Sequence, residues 1–274
     1  MTVAGRRARS AGCAALAACG IAALAACGSA LATRDRSAPD PVGPGTLLDG
    51  RTEDGAIQHF RIDAVAPDPR DRDGDVFLYG VSIRGTDERW RPYCLPDPEG
   101  HRTAIPVQGS WGADGEPHPD SALITFACTR GAIGKCIRFG YKPWKTVDGM
   151  SLQAYHAACV RMVRADYCGD NRPHTVDGTW IDMWDGLGIQ TREESADRPE
   201  VFEAAWAPSG AAYLNIPRWS DDVADVVKDC PDHFAGRTSR DQPLAPAEVP
   251  RRFPEVLIFN ARYVRSADRR IAVP

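Results

Sequence analysis

Two rhythms of apolar residues run through the chain. Leu152, Tyr155, His156, Cys159, Met162, Val163 and Tyr167 recur at steps of three and four, which places them on one stripe of a helix. Arg161 and Arg164 fall in the last turn, where cations suit the negative end, and Gly169 follows as the expected left-handed cap. The spacing predicts a helix over about 151–167. Elsewhere the period is two or absent. Residues 57–62 partly alternate, while 76–83 and 122–126 are apolar runs, so all three read as strands. After the helix, 179–184, 211–216 and 256–259 read the same way, with a short acidic helix around 220–228. Asp73-Gly74, Asp114-Gly115 and Pro96-Asp97-Pro98 provide turns between the early strands. The expected fold is α+β: mostly antiparallel β-sheet with one central amphipathic helix, stapled by disulfides.

The N-terminus changes this picture, because it is not expected to belong to the fold. Arg6, Arg7 and Arg9 precede a small-residue apolar run over 11–26, the form of a secretory leader and too short for a membrane span. Leu24-Ala25-Ala26-Cys27-Gly28 has the form of a bacterial lipobox, which would place a lipid on Cys27 and make it the first mature residue. Cleavage after Ala30-Leu31-Ala32 is the alternative and would release a soluble secreted protein. The expected organisation is a signal peptide over 1–26, a Pro/Ala-rich tether over 27–45 and one domain over 46–270.

Charge then excludes one class of partner. Loss of Arg6, Arg7 and Arg9 from 33 basic residues leaves 30 against 37 acidic ones, a net charge near −7 with no basic stripe. Nucleic acid is not an expected partner. Of nine cysteines, six lie beyond the leader: Cys94, Cys128, Cys136, Cys159, Cys168 and Cys230. An even set in an exported chain reads as three disulfides, drawn from fifteen connectivities. The glycines between Cys128 and Cys136 permit a sharp reversal, which makes Cys128–Cys136 the expected local bridge.

Residues 158–170, Ala-Cys-Val-Arg-Met-Val-Arg-Ala-Asp-Tyr-Cys-Gly-Asp, carry a resemblance. Together with Phe126-Ala127-Cys128, Lys135-Cys136 and Gly140-Tyr141-Lys142-Pro143-Trp144, they resemble the bacterial ADYC domain, a domain of unknown function, over roughly residues 80–265. The resemblance implies no catalytic residues.

Candidate chemistry clusters at 156–185. His156, Cys159, Cys168 and His174 carry the donor types zinc prefers, but cysteines in an oxidising compartment are more often bridged, so no metal or cofactor is expected. The carboxylates Asp166, Asp170, Asp177, Asp182 and Asp185, like Asp71, Asp73 and Asp75, lack the spacing of a helix-loop-helix calcium site and read as acidic turns. Trp180, Asp182 and Trp184 would share one strand face, two indoles flanking a carboxylate, as in a platform for a sugar or peptide. With Asp170 and His174 they form the candidate ligand-binding set. No Gly-x-Ser-x-Gly elbow, His-Glu-x-x-His helix or phosphate-cradling loop is present. The expectation is an exported, lipid-anchored binding or interaction module of the cell envelope, with a saccharide or protein ligand, rather than an enzyme. The alternative is an extracellular hydrolase using Asp and His residues of 156–185.

Overall fold

The computed structural model describes residues 2–4, 42–51, 57–112, 117–118, 123–175, 178–193, 199–220 and 222–263. Cys27 and most of the expected leader and tether lie outside the described residues. The elements run β1 (Thr2–Ala4), β2 (Leu47–Arg51), β3 (Ile57–Pro67), β4 (Phe77–Arg84), β5 (Trp90–Pro92), β6 (Thr103–Gln108), β7 (Ser110–Trp111), β8 (Pro117–His118) and β9 (Leu123–Cys128). Then follow α1 (Ala132–Arg138), β10 (Thr146–Val147), β11 (Met150–Ser151), α2 (Leu152–Arg164), β12 (Ile181–Asp185), β13 (Glu200–Ala207), β14 (Gly210–Leu214), α3 (Ala224–Val227), α4 (Val249–Arg252) and β15 (Ile258–Tyr263).

Strands β3, β2, β1, β9, β6 and β4 pair antiparallel in that order, and β3 pairs back to β4. The six therefore close a ring, with β5 on the edge of β4. Ala104 and Phe126 join Phe60, Ile62, Tyr79 and Val81 in one apolar cluster. On the opposite faces of β6 and β9, Ile105 and Ala127 meet Ile137 of α1. That two-sided burial explains why β6 shows no alternation. A second antiparallel sheet has the order β12, β15, β13, β14. Helix α2 packs on β13 and β14, and α1 packs on both α2 and β9, so the helix pair lies between ring and sheet.

Four helices are present among the described residues, where the central helix and a short acidic one around 220–228 were expected. The longest, α2, has no polar face along its middle: residues 155–162 are all buried. Sheet, α1 and the Trp111 ring, whose edge meets His156 at 5.2 Å, cover it together. Each fully buried Leu152 or Met162 side chain contributes about 1.5–3 kcal/mol relative to exposure. Ser151 caps the start, its hydroxyl accepting from the Gln153 amide. The helix ends earlier than its stripe suggests: Ala165, at φ 52°, is its left-handed cap, and Gly169, also left-handed, lies in the turn beyond.

Three disulfides join Cys94 to Cys128, Cys136 to Cys159 and Cys168 to Cys230. The expected Cys128–Cys136 bridge is wrong. The glycines between them serve a helix rather than a hairpin: Gly131 is the N-cap of α1, and a β-carbon on Gly134 would lie 2.4 Å from the Cys128 carbonyl oxygen. Cys128 turns back to Cys94, and Cys136 ties α1 to α2 instead.

Candidate functional site

The tetrapeptide Ala165-Asp166-Tyr167-Cys168 sits where α2 leaves the core, and each residue has a distinct structural task. Ala165 turns the chain. Asp166, fully buried, accepts from Arg161 Nη1 at 2.5 Å and from the Asn171 amide at 3.0 Å. Tyr167 stacks on Trp206 at 5.4 Å and donates to Glu203 Oε1 at 2.8 Å. Cys168 bridges to Cys230.

Glu203 is the hub of a network closed to solvent. Arg218 Nε reaches both its oxygens, at 2.8 and 3.0 Å, while Arg218 Nη2 donates to the Met162 carbonyl at the end of α2. Asn260 Nδ2 donates to Glu203 Oε2, and Trp206 Nε1 donates to Asn260 Oδ1. Burial, then the Glu203 charge, pushes the Tyr167 phenol well above its ordinary range. The hub holds an acid, a base and a phenol, yet a buried group without access can act on no substrate. Sequence reasoning missed Glu203, Arg218 and Asn260. A signal exists for the first: a lone carboxylate inside Val201-Phe202-Glu203-Ala204-Ala205-Trp206-Ala207 requires a buried partner.

The expected ligand-binding set is divided. Asp170 is exposed and paired with Arg172 at 3.1 Å. His174 rests against Tyr167, and its ring stacks at 5.2 Å on the half-exposed Trp219. Trp180 lies just before β12 and is exposed. Trp184 instead packs on Phe259 and Phe202 with the Arg192 guanidinium over it at 5.0 Å. Asp182, on the Trp184 face of β12, accepts from the Glu193 amide and faces Glu200, whose pKa is raised by burial and by the Asp182 charge. Met183, on the other face, packs in the α2 core with Tyr167 and Trp206. Asp182 and His174 thus stand on opposite sides of the second sheet, while Asp182 and Trp184 share one face of it.

The zinc donor set is also divided. Cys159 and Cys168 are in separate disulfides, which removes their thiolates. His156 is fully buried and its Nδ1 faces the Tyr141 carbonyl at 2.9 Å. Burial outweighs that hydrogen bond and lowers its pKa to about 4, so the ring is neutral at pH 7.

A different region forms a recess. The loop between β3 and β4, the end of α1, Val147, Leu152 and residues 189–190 enclose a cleft of about 450 Å³. Arg138 clamps Asp68 through Nε at 2.7 Å and Nη2 at 3.2 Å. The buried Lys142 ammonium donates to Asp71, to Asp73 at 2.8 Å and to Asp75, and Trp144 Nε1 donates to Asp75 at 2.9 Å. Burial would raise Asp75, but the hydrogen bonds from Lys142 and Trp144 and the nearby ammonium charges outweigh it and hold it at about 2. The three carboxylates the sequence presented as an acidic turn thus surround an internal cation.

The model of one protein family, the ADYC domain, matches residues 44–220. The match takes in the first sheet apart from β1, where the sequence resemblance left more of it outside, and stops before β15. No curated protein and no solved structure matches the chain.

Proposed function

Because the chain belongs to the ADYC domain family, we propose that it is an exported bacterial envelope protein, anchored by lipid on Cys27, that acts as a binding or interaction module rather than an enzyme. The observation that carries the binding reading is the state of the signature itself. Asp166 is bound to Arg161, and Tyr167 to Glu203 and Arg218, out of reach of solvent, whereas aromatic rings at Trp180 and at the His174–Trp219 stack face outward. Such rings suit a saccharide or a protein ligand.

Export is supported by the three disulfides, which fit an oxidising compartment. Among the described residues no helix is long and apolar enough to cross a membrane. Thr2–Ala4 makes the opposite demand, because leader removal would take β1 from its place between β2 and β9. Intact mass of the native protein, with and without reduction and alkylation, separates the cases. A diacylated start at Cys27 with no alkylatable thiol is expected. A start at Thr33 replaces the anchor with soluble secretion, and a retained Thr2 overturns export.

Binding is tested by tryptophan fluorescence against a panel of envelope glycans and peptides. Saturable quenching lost in Trp180→Ala or Trp219→Ala is expected. A protein that binds none of them but hydrolyses a chromogenic ester or glycoside overturns the module in favour of the hydrolase.

A further inference from the structure

We propose that the cleft between the β3–β4 loop and the end of α1 binds a small monocarboxylate with an apolar tail, with the Arg72 guanidinium as its anchor. The inference rests on the binding-module reading and gives it a site. At about 450 Å³ the recess falls in the size range of small-molecule sites. Its lining carries Arg70, Arg72, Arg138, Lys142 and Lys145 against Asp68, Asp71 and Asp73, with Asp75 and Glu99 just outside it also pairing with these cations.

The partners of those cations decide which can meet a ligand. Arg138 is held by Asp68, Lys142 by three carboxylates, Lys145 by Asp73 and Asp75, and Arg70 by Glu99 at 3.1 Å. Among the described residues Arg72 makes no ion pair or hydrogen bond, and it is exposed at the rim. One guanidinium presents the planar fork that a carboxylate matches with two parallel hydrogen bonds. A phosphate dianion would bring a second negative charge toward Asp71 and Asp73 with no further cation to meet it. The rest of the wall suits a tail: Phe139, Val147, Leu152 and Ile189 form an apolar side.

Trp144 is bonded to Asp75 beside the cleft and reports on it. The test titrates the disulfide-intact protein with decanoate, decyl phosphate and decanol, following tryptophan fluorescence and heat. Decanoate is expected to bind one to one, at least tenfold tighter than decanol and tighter than decyl phosphate. Arg72→Glu should weaken decanoate at least tenfold with an unchanged melting temperature. Val147→Asp, on the apolar side, should weaken it as well. Absent saturable binding, equal binding of decanol, tighter binding of decyl phosphate, or indifference to Arg72→Glu overturns the assignment. None of those outcomes bears on quenching through Trp180 or Trp219, so failure here is distinct from failure of the module reading.

Discussion

Tyr167 and Glu203 meet at 2.8 Å with no solvent at either group, and Arg218 donates to both, its amide to the phenol at 2.9 Å and its guanidinium to the carboxylate. The carboxylate is the shared member, so the two ends of the pair should respond unequally. Glu203→Gln leaves the Arg218 guanidinium buried without its counter-charge and should cost about 3–5 kcal/mol in urea unfolding. Tyr167→Phe removes one donor and should cost about 1–3 kcal/mol. Equal losses would show that the network is not centred on Glu203.

Gly169 and Gly188 have nearly the same backbone, φ 71° and 72°, but different surroundings. A β-carbon on Gly169 would lie 1.9 Å from the Ser209 carbonyl oxygen, whereas nothing lies within 4 Å of one on Gly188. Gly188→Ala should cost about 1 kcal/mol from the left-handed conformation alone. Gly169→Ala should cost roughly 1–3 kcal/mol more, because the turn after α2 must move away from the β13–β14 turn. Melting curves of the two variants side by side measure that difference.

His156 makes stability fall on the acid side. Its folded pKa is about 4 against an ordinary 6.5, so the unfolded chain takes up a proton that the folded chain refuses. The stability it contributes is complete above pH 6.5 and is lost as pH falls from there toward 4. The full difference is about 3 kcal/mol. Urea midpoints at pH 7 and pH 4.5 should converge in His156→Gln relative to the native chain, other carboxylates being common to both. An unchanged pH dependence in the variant would place the effect elsewhere.

Lys142 occupies the position a bound cation would take among Asp71, Asp73 and Asp75. Lys142→Met should destabilise by about 3 kcal/mol, since three carboxylates then face one another without an ammonium. Calcium at about millimolar concentration should restore part of that loss in the variant and leave the native protein unaffected. A variant whose midpoint ignores calcium would show that the three oxygens do not converge once the ammonium is gone.

Local patterns were readable where one interaction fixed them. The strands at 57–62, 76–83 and 211–216 and the helix near 151–167 follow from periodicity, and all appear with shifted ends. Strand β6 escaped because Ala104-Ile105-Pro106-Val107 is buried on both faces and interrupted by proline, which erases alternation. Strand β13 escaped because alanines and a buried Glu203 hide its apolar character. The candidate set at 170–184 is divided between two faces for another reason. Alternation correctly put Asp182 beside Trp184, but no local rule says which face of the second sheet His174 reaches. The Arg72 cleft lay beyond reach altogether, being built from four segments between residues 68 and 190.

The disulfides join Cys94 to Cys128, Cys136 to Cys159 and Cys168 to Cys230, so each cysteine is bonded to the next one in the chain. Of the fifteen possible pairings, this is the one reached by oxidising thiols two at a time in their order along the chain. No bridge has to wait for a later cysteine, and none encloses another. Oxidation in that order completes the set without any rearrangement of bridges. The last loop to close, between Cys168 and Cys230, then ties down the turn after α2 once β13 and β14 have arrived to pack against it.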